Sequence, residues 1–333
     1  MINSRLDDVL DRTVVAGFTN VGYRVRSRGW AASDLPPMQG KVVLVTGASS
    51  GLGLAAAEGF ARLGATVWLV VRGRERGEQA RARIAERSGN GDVRVGVCDL
   101  SELESVRQFA ERFRDQASRL DVLVNNAGTM TEAREVSADG IELTLATNVV
   151  GPFLLTNLLI PLLKESAPSR IINVSSGGMY TQKLRVDDLQ SERGQFDGPK
   201  VYARTKRAEV ILTELWAEQL AGTGVVAHAM HPGWADTPGV RSSLPRFYKV
   251  TRPLLRTPAQ GADTIVWLGA AAEPSRSSGR FWHDRLPRPT HWLRWTRETR
   301  EEREQLLAEC ARLSRWRDAS IRTASTSIPE GES

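Results

Sequence analysis

A glycine-dense turn at residues 46–53 constrains the fold of this chain more than any other segment. It has the sequence Thr-Gly-Ala-Ser-Ser-Gly-Leu-Gly and lies between an apolar run, residues 42–45, and a helix-like run that starts at Leu54. A strand that ends at a helix N-terminus points unpaired N–H groups and the positive helix dipole at one place, and glycines let a phosphate approach them. The turn predicts a phosphate cradle, with a purely structural turn as the alternative.

Short apolar runs alternate with helical patterns along most of the chain. The strand candidates are residues 42–45, 66–71, 93–97, 120–124, 170–174 and 225–230. Their apolarity is continuous, as expected for strands that are buried on both faces. The sequence therefore predicts an α/β fold with a doubly wound parallel sheet, helices on both faces, and a ligand at the carboxyl edge of the strands.

The length of 333 residues and the hydrophobic content of 41% are sufficient for one large domain. We expect a helical N-terminal extension over residues 1–38 and an α/β domain that carries the phosphate cradle over residues 39–285. Residues 286–333 are expected to form a partly helical C-terminal extension. Its end, which includes the Thr- and Ser-rich residues 323–327, is expected to be disordered.

The charge pattern and the two cysteines indicate the compartment. The net charge is +6, but the arginines are dispersed and are mixed with glutamates in the tail, which favours a solvated surface over nucleic-acid binding. Cys98 and Cys310 do not suggest a disulfide framework. No run approaches about 18 uninterrupted apolar residues, and no signal-peptide pattern begins the chain. The sequence predicts a cytoplasmic protein.

The turn spacing T-G-x-x-x-G-x-G resembles that of the short-chain dehydrogenase/reductase family. Further segments agree with that family in order and spacing: Asn-Asn-Ala-Gly at 125–128, Asn148 within 145–151, Ser175 and Ser176 after a strand, Tyr202-x-x-x-Lys206, and Pro232-Gly233 followed by Thr237. The resemblance covers roughly residues 40–285. It implies a Rossmann-type fold, a nicotinamide cofactor and hydride transfer between that cofactor and a carbonyl or alcohol.

The resemblance also implies which residues hold the cofactor. They are Gly47, Ser49, Ser50, Gly51, Leu52, Gly53, Arg72, Asp99, Leu100, Asn125, Ala127, Gly128, Tyr202, Lys206, Pro232, Gly233 and Thr237. Asp99 would accept from the adenine amino group with Leu100 against the ring, and Thr237 would hold the carboxamide. For Asp99, an ordinary helix N-cap before Glu102 is the alternative.

The end of the second strand favours NADP(H) over NAD(H). Residues 67–71 lead into Arg72, with Arg74 and Arg76 close behind and no acidic residue at the strand end. A guanidinium binds the 2′-phosphate of NADP, whereas an acidic side chain binds the free ribose hydroxyl of NAD. The basic residue that many NADP-using relatives carry inside the glycine loop is missing.

The predicted catalytic set is Asn148, Ser176, Tyr202 and Lys206. Tyr202 and Lys206 are one helical turn apart, and a nearby cation favours the phenolate form of a tyrosine, which suits a proton donor to an alkoxide. The family implies that Lys206 also holds the nicotinamide ribose. Ser176 would bind the substrate carbonyl, with Ser175 as the alternative. Asn148 would carry a water that links Lys206 to solvent, or cap a local backbone break.

Several segments around this set bear on substrate and partners. Residues 177–201 form an insertion beside the expected cleft, and residues 238–258, rich in Leu, Phe and Arg, are the expected lid over an apolar or amphipathic substrate. Residues 1–38 fit an amphipathic helix that packs on the core or on a partner, or contacts a membrane peripherally. His228 and His231 lack a third ligand, so no metal is expected.

The sequence thus predicts an NADP-dependent oxidoreductase with a small-molecule substrate. The alternative is a non-catalytic NADP(H)-sensing regulator on the same fold, although such regulators usually lose the Tyr or the Lys that this chain keeps. Family members usually pair through the helices that here begin near Asn148 and Tyr202. A homo-oligomer is therefore expected.

Overall fold

A computed structural model of the protein describes residues 7, 10 and 13–317. The described chain contains one sheet of eight strands, in the order β3-β2-β1-β4-β5-β6-β7-β8. The strands are β1 Val42–Thr46, β2 Thr66–Val71, β3 Val93–Val97, β4 Val122–Asn125, β5 Ser169–Val174, β6 Val225–Met230, β7 Arg280–His283 and β8 Leu286–Arg288. All six predicted strands are present within a few residues of their expected bounds.

The sheet is parallel from β3 to β7, and only β8 runs antiparallel to its neighbour β7. The strand order reverses between β1 and β4, which is where doubly wound folds bind their ligand. The predicted fold class is confirmed. The sequence did not predict β7 and β8, because β7 contains Arg280 and His283 and β8 contains Pro287.

Helices cover both faces of the sheet. They are α1 Val14–Phe18, α2 Asn20–Arg26, α3 Gly51–Arg62, α4 Arg74–Ser88, α5 Leu103–Gln116, α6 Leu143–Leu145, α7 Gly151–Glu165, α8 Gly198–Gln219, α9 Pro238–Ser243, α10 Pro245–Thr251, α11 Pro258–Ala270 and α12 Arg300–Leu313. One core cluster joins the sheet to α5, α7 and α8, and a second joins it to α3, α4 and α11. The two clusters bury the apolar runs that the sequence shows.

Both extensions pack on this domain. Phe18 of the N-terminal extension is 2% exposed, and Arg26 forms buried ion pairs with Asp7 and Asp284. In the C-terminal extension, β8 lies beyond the expected boundary at residue 285 and continues the sheet. Leu306 and Cys310 of α12 belong to the core cluster that contains α7 and α8. The segment expected to be disordered, 323–327, lies outside the described residues.

One helical stretch, Leu143–Glu165, is long and apolar enough to cross a membrane by length and composition alone. Of its most apolar 18-residue window, 83% is buried inside the fold. This stretch contains α7, which packs on β4 and β5, so its apolarity is explained by the core. Cys98 and Cys310 are both free and buried.

Candidate active site

The glycine turn connects β1 to α3 as predicted. Gly47 has φ +66°, a left-handed conformation that favours glycine. A Cβ added at Gly53 would lie 2.5 Å from the Gly47 carbonyl oxygen and from Asn126 Nδ2. The turn is therefore closed by a close backbone approach that only glycine permits at position 53.

The start of α3 leaves backbone donors for an anion. Its N-cap, Ser50, makes no side-chain capping hydrogen bond, so this side chain leaves the first N–H groups unsatisfied. A Cβ added at Gly51 would lie 3.5 Å from the Thr237 side chain, which places Thr237 beside the turn. Ser49 is half-buried, and Leu52 packs towards Gly261 of α11. The turn fits the pyrophosphate of a dinucleotide.

Three arginines extend from the end of β2. Arg72, Arg74 and Arg76 are exposed, and none of them forms an ion pair with another residue that the structure describes. Their guanidinium groups are available to a ligand phosphate.

Asp99 and Leu100 follow β3. Asp99 Oδ1 accepts from the backbone N–H and the hydroxyl of Ser101, at 2.9 and 2.7 Å. The N-cap of α5 is Glu102, so Asp99 caps a local turn and does not cap that helix. Leu100 is only 4% exposed and belongs to the core, so its side chain has little surface for the expected adenine contact.

The Asn-Asn-Ala-Gly loop after β4 is fixed to the glycine turn. Thr46 Oγ1 accepts from the backbone N–H groups of Asn126 and Ala127, at 2.9 and 3.0 Å. The side chain of Asn125 points elsewhere: its Nδ2 donates to Thr156 Oγ1 and to Asn173 Oδ1, both at 2.9 Å. The expected cofactor contact of Asn125 is therefore not supported by its buried side chain, which ties β4 to β5.

Asn148 lies in a π-helical turn, Ala146–Val150, between α6 and α7. Its Oδ1 accepts from the Thr129 backbone N–H at 2.8 Å, and its Nδ2 donates to the Thr129 carbonyl and to Thr205 Oγ1, both at 3.0 Å. These bonds satisfy the amide at a break in the helix, which agrees with the capping alternative. They also hold the loop after Gly128 against α8.

The two serines after β5 have different surroundings. Ser175 is buried, and its hydroxyl donates to the Lys206 carbonyl oxygen at 2.7 Å. Ser176 is half-buried, and its hydroxyl accepts from the Gly178 N–H at 3.2 Å. None of residues 13–317 accepts its proton, which is available to a ligand. Of the two, Ser176 is the better placed to donate to a ligand.

Tyr202 and Lys206 occupy consecutive turns of α8. The Nζ atom of Lys206 lies 5.5 Å from the centroid of the Tyr202 ring and donates to the Val174 carbonyl oxygen at 3.0 Å. A Cβ added at Gly128 would be 3.4 Å from Nζ and from Asn148 Oδ1. The ammonium group therefore lies between α8, the end of β5 and the loop after β4.

A carboxylate that the sequence analysis did not single out, Glu209, forms an ion pair with Lys206 at 2.7 Å. Burial alone would lower the pKa of Lys206, but the attraction of Glu209 and Tyr202 outweighs burial and raises this pKa above its ordinary value. Burial raises the pKa of the Glu209 carboxyl to about 7, although Lys206 counteracts the shift. A glutamate at i+3 from Lys206, next to Val210 and Ile211, was the available sequence signal.

The loop after β6 leads into the expected lid, which forms α9 and α10. Pro232 accepts from Arg256 Nη1 at 3.2 Å, and Gly233 has φ +74°. Thr237 is the N-cap of α9. Trp234 packs edge-on against Phe247 of α10, with ring centroids 5.0 Å apart, so it contacts the lid.

Comparison with known proteins agrees with this geometry. The family model described as short chain dehydrogenase matches residues 41–246. The chain is 47% identical over 276 residues to Dehydrogenase/reductase SDR family member 12 of Bos taurus, covering 82% of this chain and 86% of that protein. The chain belongs to the short-chain dehydrogenase/reductase family.

Two further relatives bear on activity. Retinol dehydrogenase 12 of Bos taurus is 39% identical over 247 residues, which cover 74% of this chain and 78% of that protein. The Pseudomonas aeruginosa RhlG/NADP active-site complex has a TM-score of 0.61 and 26% identity, and the match covers 74% of this chain and 94% of that one. This short-chain dehydrogenase/reductase is therefore an NAD(P)-dependent oxidoreductase that acts on alcohol or carbonyl groups.

The N-terminal extension contacts residues beside the candidate active site, which the sequence did not predict. Phe18 packs against Gly177, the residue after Ser176, and its ring centroid is 6.3 Å from that of Trp234. Arg256 donates to the Phe18 carbonyl and pairs with Asp284. No local pattern predicts these contacts, because they join distant segments.

The two histidines singled out near β6 have structural surroundings. His228 contacts the Pro274 carbonyl at 3.0 Å and accepts from Trp282 Nε1 at 3.1 Å. His231 stacks on His283 with ring centroids 3.8 Å apart. Burial lowers the pKa of both His228 and His231, so both rings are held neutral. Within residues 7, 10 and 13–317, no group of three or more His, Cys, Asp or Glu side chains is placed to hold a metal ion.

Proposed function

We propose that the protein is an NADP(H)-dependent carbonyl reductase or alcohol dehydrogenase in which Asn148, Ser176, Tyr202 and Lys206 act together. The observation that carries the proposal is the buried Lys206 ammonium, 5.5 Å from the Tyr202 ring and beside the loop that contains Gly128. A cation at that position stabilises the negative charge that develops on the Tyr202 oxygen while its proton is transferred to the substrate.

The bound nicotinamide supplies or accepts the hydride. In the direction of reduction, the Tyr202 hydroxyl gives its proton to the oxygen that becomes the alcohol. The Ser176 hydroxyl donates a hydrogen bond to the same oxygen, because no residue that the structure describes accepts its proton. Asn148 holds the loop after Gly128 against Thr205 of α8 and so places that loop beside Lys206.

The preference for NADP(H) over NAD(H) is part of the proposal. Arg72, Arg74 and Arg76 carry charge at the end of β2 without an acidic partner among the described residues. A 2′-phosphate would gain a charge-assisted hydrogen bond there. The structurally similar protein RhlG was solved as a complex with NADP, which agrees with this preference.

The proposed substrate is an apolar or amphipathic aldehyde, ketone or alcohol. The lid contributes Phe247 and Tyr248, both half-buried, and Leu254, which is 37% exposed. An apolar lid favours an apolar ligand. A long-chain aldehyde, a retinoid or a steroid-like ketone would fit, and the similarity to retinol dehydrogenase 12 supports testing retinoids first.

We also propose a cytoplasmic location with peripheral membrane contact. The two buried free thiols, Cys98 and Cys310, suit a reducing compartment. Val15 and Val21 of the N-terminal extension are 57% and 44% exposed, and Val250 of the lid is 78% exposed. Asn20 hydrogen-bonds the Pro253 carbonyl at 3.3 Å and joins the two segments. Sedimentation with anionic liposomes, compared with a variant carrying Val15→Asp and Val250→Asp, tests the contact.

A homo-oligomer remains part of the proposal, with one restriction. The helix α12 packs on the core cluster of α7 and α8, whose N-terminal ends lie near Asn148 and Tyr202. Pairing through that face would require α12 to move. Size-exclusion chromatography with light scattering gives the stoichiometry.

The function is tested by NADPH oxidation against a panel of aldehydes and ketones, with wild type and Tyr202→Phe side by side. The proposal expects turnover of at least one apolar carbonyl compound by wild type and a loss of about 100-fold or more in Tyr202→Phe. Equal consumption by the two proteins would exclude Tyr202 as the proton donor. NADPH binding without turnover of any compound would favour the regulatory alternative.

A further inference from the structure

A carboxylate, Glu209, is buried beside Lys206 on α8. Its Oε1 lies 2.7 Å from the Lys206 Nζ, and the exposed fractions of the two side chains are 9% and 3%. Removing two charges from water is costly, so a buried pair persists where its geometry is good and its other polar atoms are satisfied. The pair therefore needs a partner for the second carboxylate oxygen.

The hydrogen bonds of Lys206 leave one donor for a ligand. An ammonium has three N–H donors. One is directed to Glu209 and another to the Val174 carbonyl oxygen. Because these two acceptors are fixed by α8 and β5, they also fix the direction of the third donor.

Glu209 lines a small cavity, and its second carboxylate oxygen is buried. Its Oε2 is buried without a hydrogen-bond partner among the described residues, and so is Oδ1 of Asn125. Both residues line the same cavity, together with Asn148, Asn173 and Trp216. The cavity has a volume of about 10 Å³ for the centre of a water molecule, which is close to the space that one buried water needs.

A single water matches these two atoms chemically. The Asn125 Oδ1 and an ionised Glu209 Oε2 are both acceptors, and a water molecule has two donors. Asn125 cannot turn its amide without losing the bonds that its Nδ2 donates to Thr156 and Asn173. Asn125 Oδ1 therefore keeps its place as a buried acceptor on a residue that lines the cavity.

We propose that Glu209 is a positioning residue for Lys206, and that one water molecule bridges Glu209 to Asn125 behind it. In this arrangement Glu209 keeps Lys206 charged and aims its free N–H towards the nicotinamide ribose. The inference rests on the proposed function, in which Lys206 holds that ribose and supports Tyr202.

Within the part of the chain that the structure describes, few charged groups act on the pair of Lys206 and Glu209. On α8 they come from Lys206, Glu209 and Tyr202. The elements packed against the pair contribute neutral groups: the amides of Asn148 from the π-helical turn and Asn173 from β5. Without the charge of Glu209, burial of Lys206 would be opposed only by Tyr202, and the pKa of Lys206 would fall.

The charge state of Glu209 determines how NADPH binding should change with pH. Below pH 7 the carboxyl group of Glu209 is mostly protonated, because its pKa is raised to about 7, and wild type should behave like Glu209→Gln. Above pH 7 only wild type keeps a counter-charge beside Lys206. The two proteins should therefore bind NADPH equally at acidic pH and diverge as the pH rises.

The experiment measures the NADPH dissociation constant by calorimetry from pH 5.5 to 9.5 for wild type, Glu209→Gln and Glu214→Gln. Glu214 lies on the same helix but pairs with Arg303, so it serves as the matched control. We expect about tenfold weaker binding by Glu209→Gln at the alkaline end, as for a shift of one pKa unit. Glu214→Gln should follow wild type, and Glu209→Asp should restore part of the alkaline binding.

Two results would overturn the inference. One is a Glu209→Gln protein, folded by circular dichroism, whose NADPH affinity follows that of wild type at every pH. The other is a high-resolution crystal structure without water density between Glu209 and Asn125. Either result leaves the effect of Tyr202→Phe untouched, so failure of this inference is distinguishable from failure of the proposed function.

Discussion

The backbone carbonyl oxygen of Phe18 accepts a hydrogen bond of 2.7 Å from the backbone N–H of Trp234. Trp234 in turn contacts Phe247 of the lid, and its carbonyl accepts from the Arg256 N–H at 2.8 Å. The N-terminal extension is therefore bonded to both ends of the segment that carries α9 and α10.

Phe18→Ala should lower stability and weaken substrate binding. The ring is 2% exposed and packs against Gly177 and His231, so its loss should cost about 3–5 kcal/mol of unfolding free energy. The KM for an apolar carbonyl should rise more than kcat falls. Urea unfolding and steady-state kinetics measure the two effects. Val15→Ala, at a 57% exposed position of α1, is the control, and equal stability of the two variants would refute the packing role.

Asp284→Asn should break the ionic link between the N-terminal extension and the core. Asp284 pairs with Arg256 and Arg26, and all three side chains are at most 2% exposed. Removing one partner from a buried network costs about 3–5 kcal/mol. Asp187→Asn, at an exposed pair with Arg185, should cost about 1 kcal/mol or less. Comparable losses in the two variants would contradict this expectation.

The same aspartate should make the protein sensitive to acid. Burial alone would raise the pKa of Asp284, but Arg256 and Arg26 outweigh burial and hold this pKa below its ordinary value of 3.8. A carboxyl with a lowered folded-state pKa contributes stability above its unfolded pKa, and that contribution is lost as the pH falls through the folded value. The stability difference between wild type and Asp284→Asn should therefore shrink below pH 4, which urea unfolding at pH 7 and pH 3 would detect.

Arg72→Glu should reverse part of the cofactor preference. A carboxylate would repel the 2′-phosphate of NADP and accept from the free ribose hydroxyl of NAD. The ratio of kcat/KM for NADPH to that for NADH should fall by at least about tenfold, or 1.4 kcal/mol. Arg83→Glu reverses the charge at an exposed position further along α4, so it controls for the change in net charge. An unchanged ratio in Arg72→Glu would show that Arg72 does not contact the 2′-phosphate of NADP.

Leu306→Asp should release α12 from the domain. Leu306 is 0% exposed within the core cluster, and an unpaired buried charge is strongly destabilising. Light scattering should show a change in stoichiometry only if α12 covers a pairing surface. Ala308→Asp, at an exposed position of the same helix, should leave both stability and stoichiometry unchanged.

Local sequence patterns were sufficient to predict most of the fold and the central residues of the candidate active site. The glycine turn, the six parallel strands and the spacing of Tyr202 and Lys206 are each encoded within a few residues, so the sequence alone could predict them. Strand β7 was not predicted because its burial comes from neighbouring elements, while its own sequence includes Arg280 and His283.

Contacts between distant segments could not be predicted in this way. Nothing near Phe18 in the sequence indicates Gly177 or Trp234, and nothing near Asp284 indicates Arg26. The direction of the Asn125 side chain depends on Thr156 and Asn173, which belong to other elements. The extensions and the interior of the site therefore required the structure.

The central claim is that the Tyr202 hydroxyl gives a proton to the oxygen of a carbonyl substrate as hydride reaches its carbon. Because the proton must reach the oxygen as hydride reaches the carbon, loss of the proton donor slows both transfers; the test therefore measures the rate at which deuterium from C4-deuterated NADPH enters the alcohol product in wild type, Tyr202→Phe and Tyr180→Phe. The Tyr180 hydroxyl donates to the Pro289 carbonyl, so it is the matched control. We expect labelled product from wild type and Tyr180→Phe and about 100-fold less from Tyr202→Phe. Equal labelling by Tyr202→Phe and wild type would contradict the account.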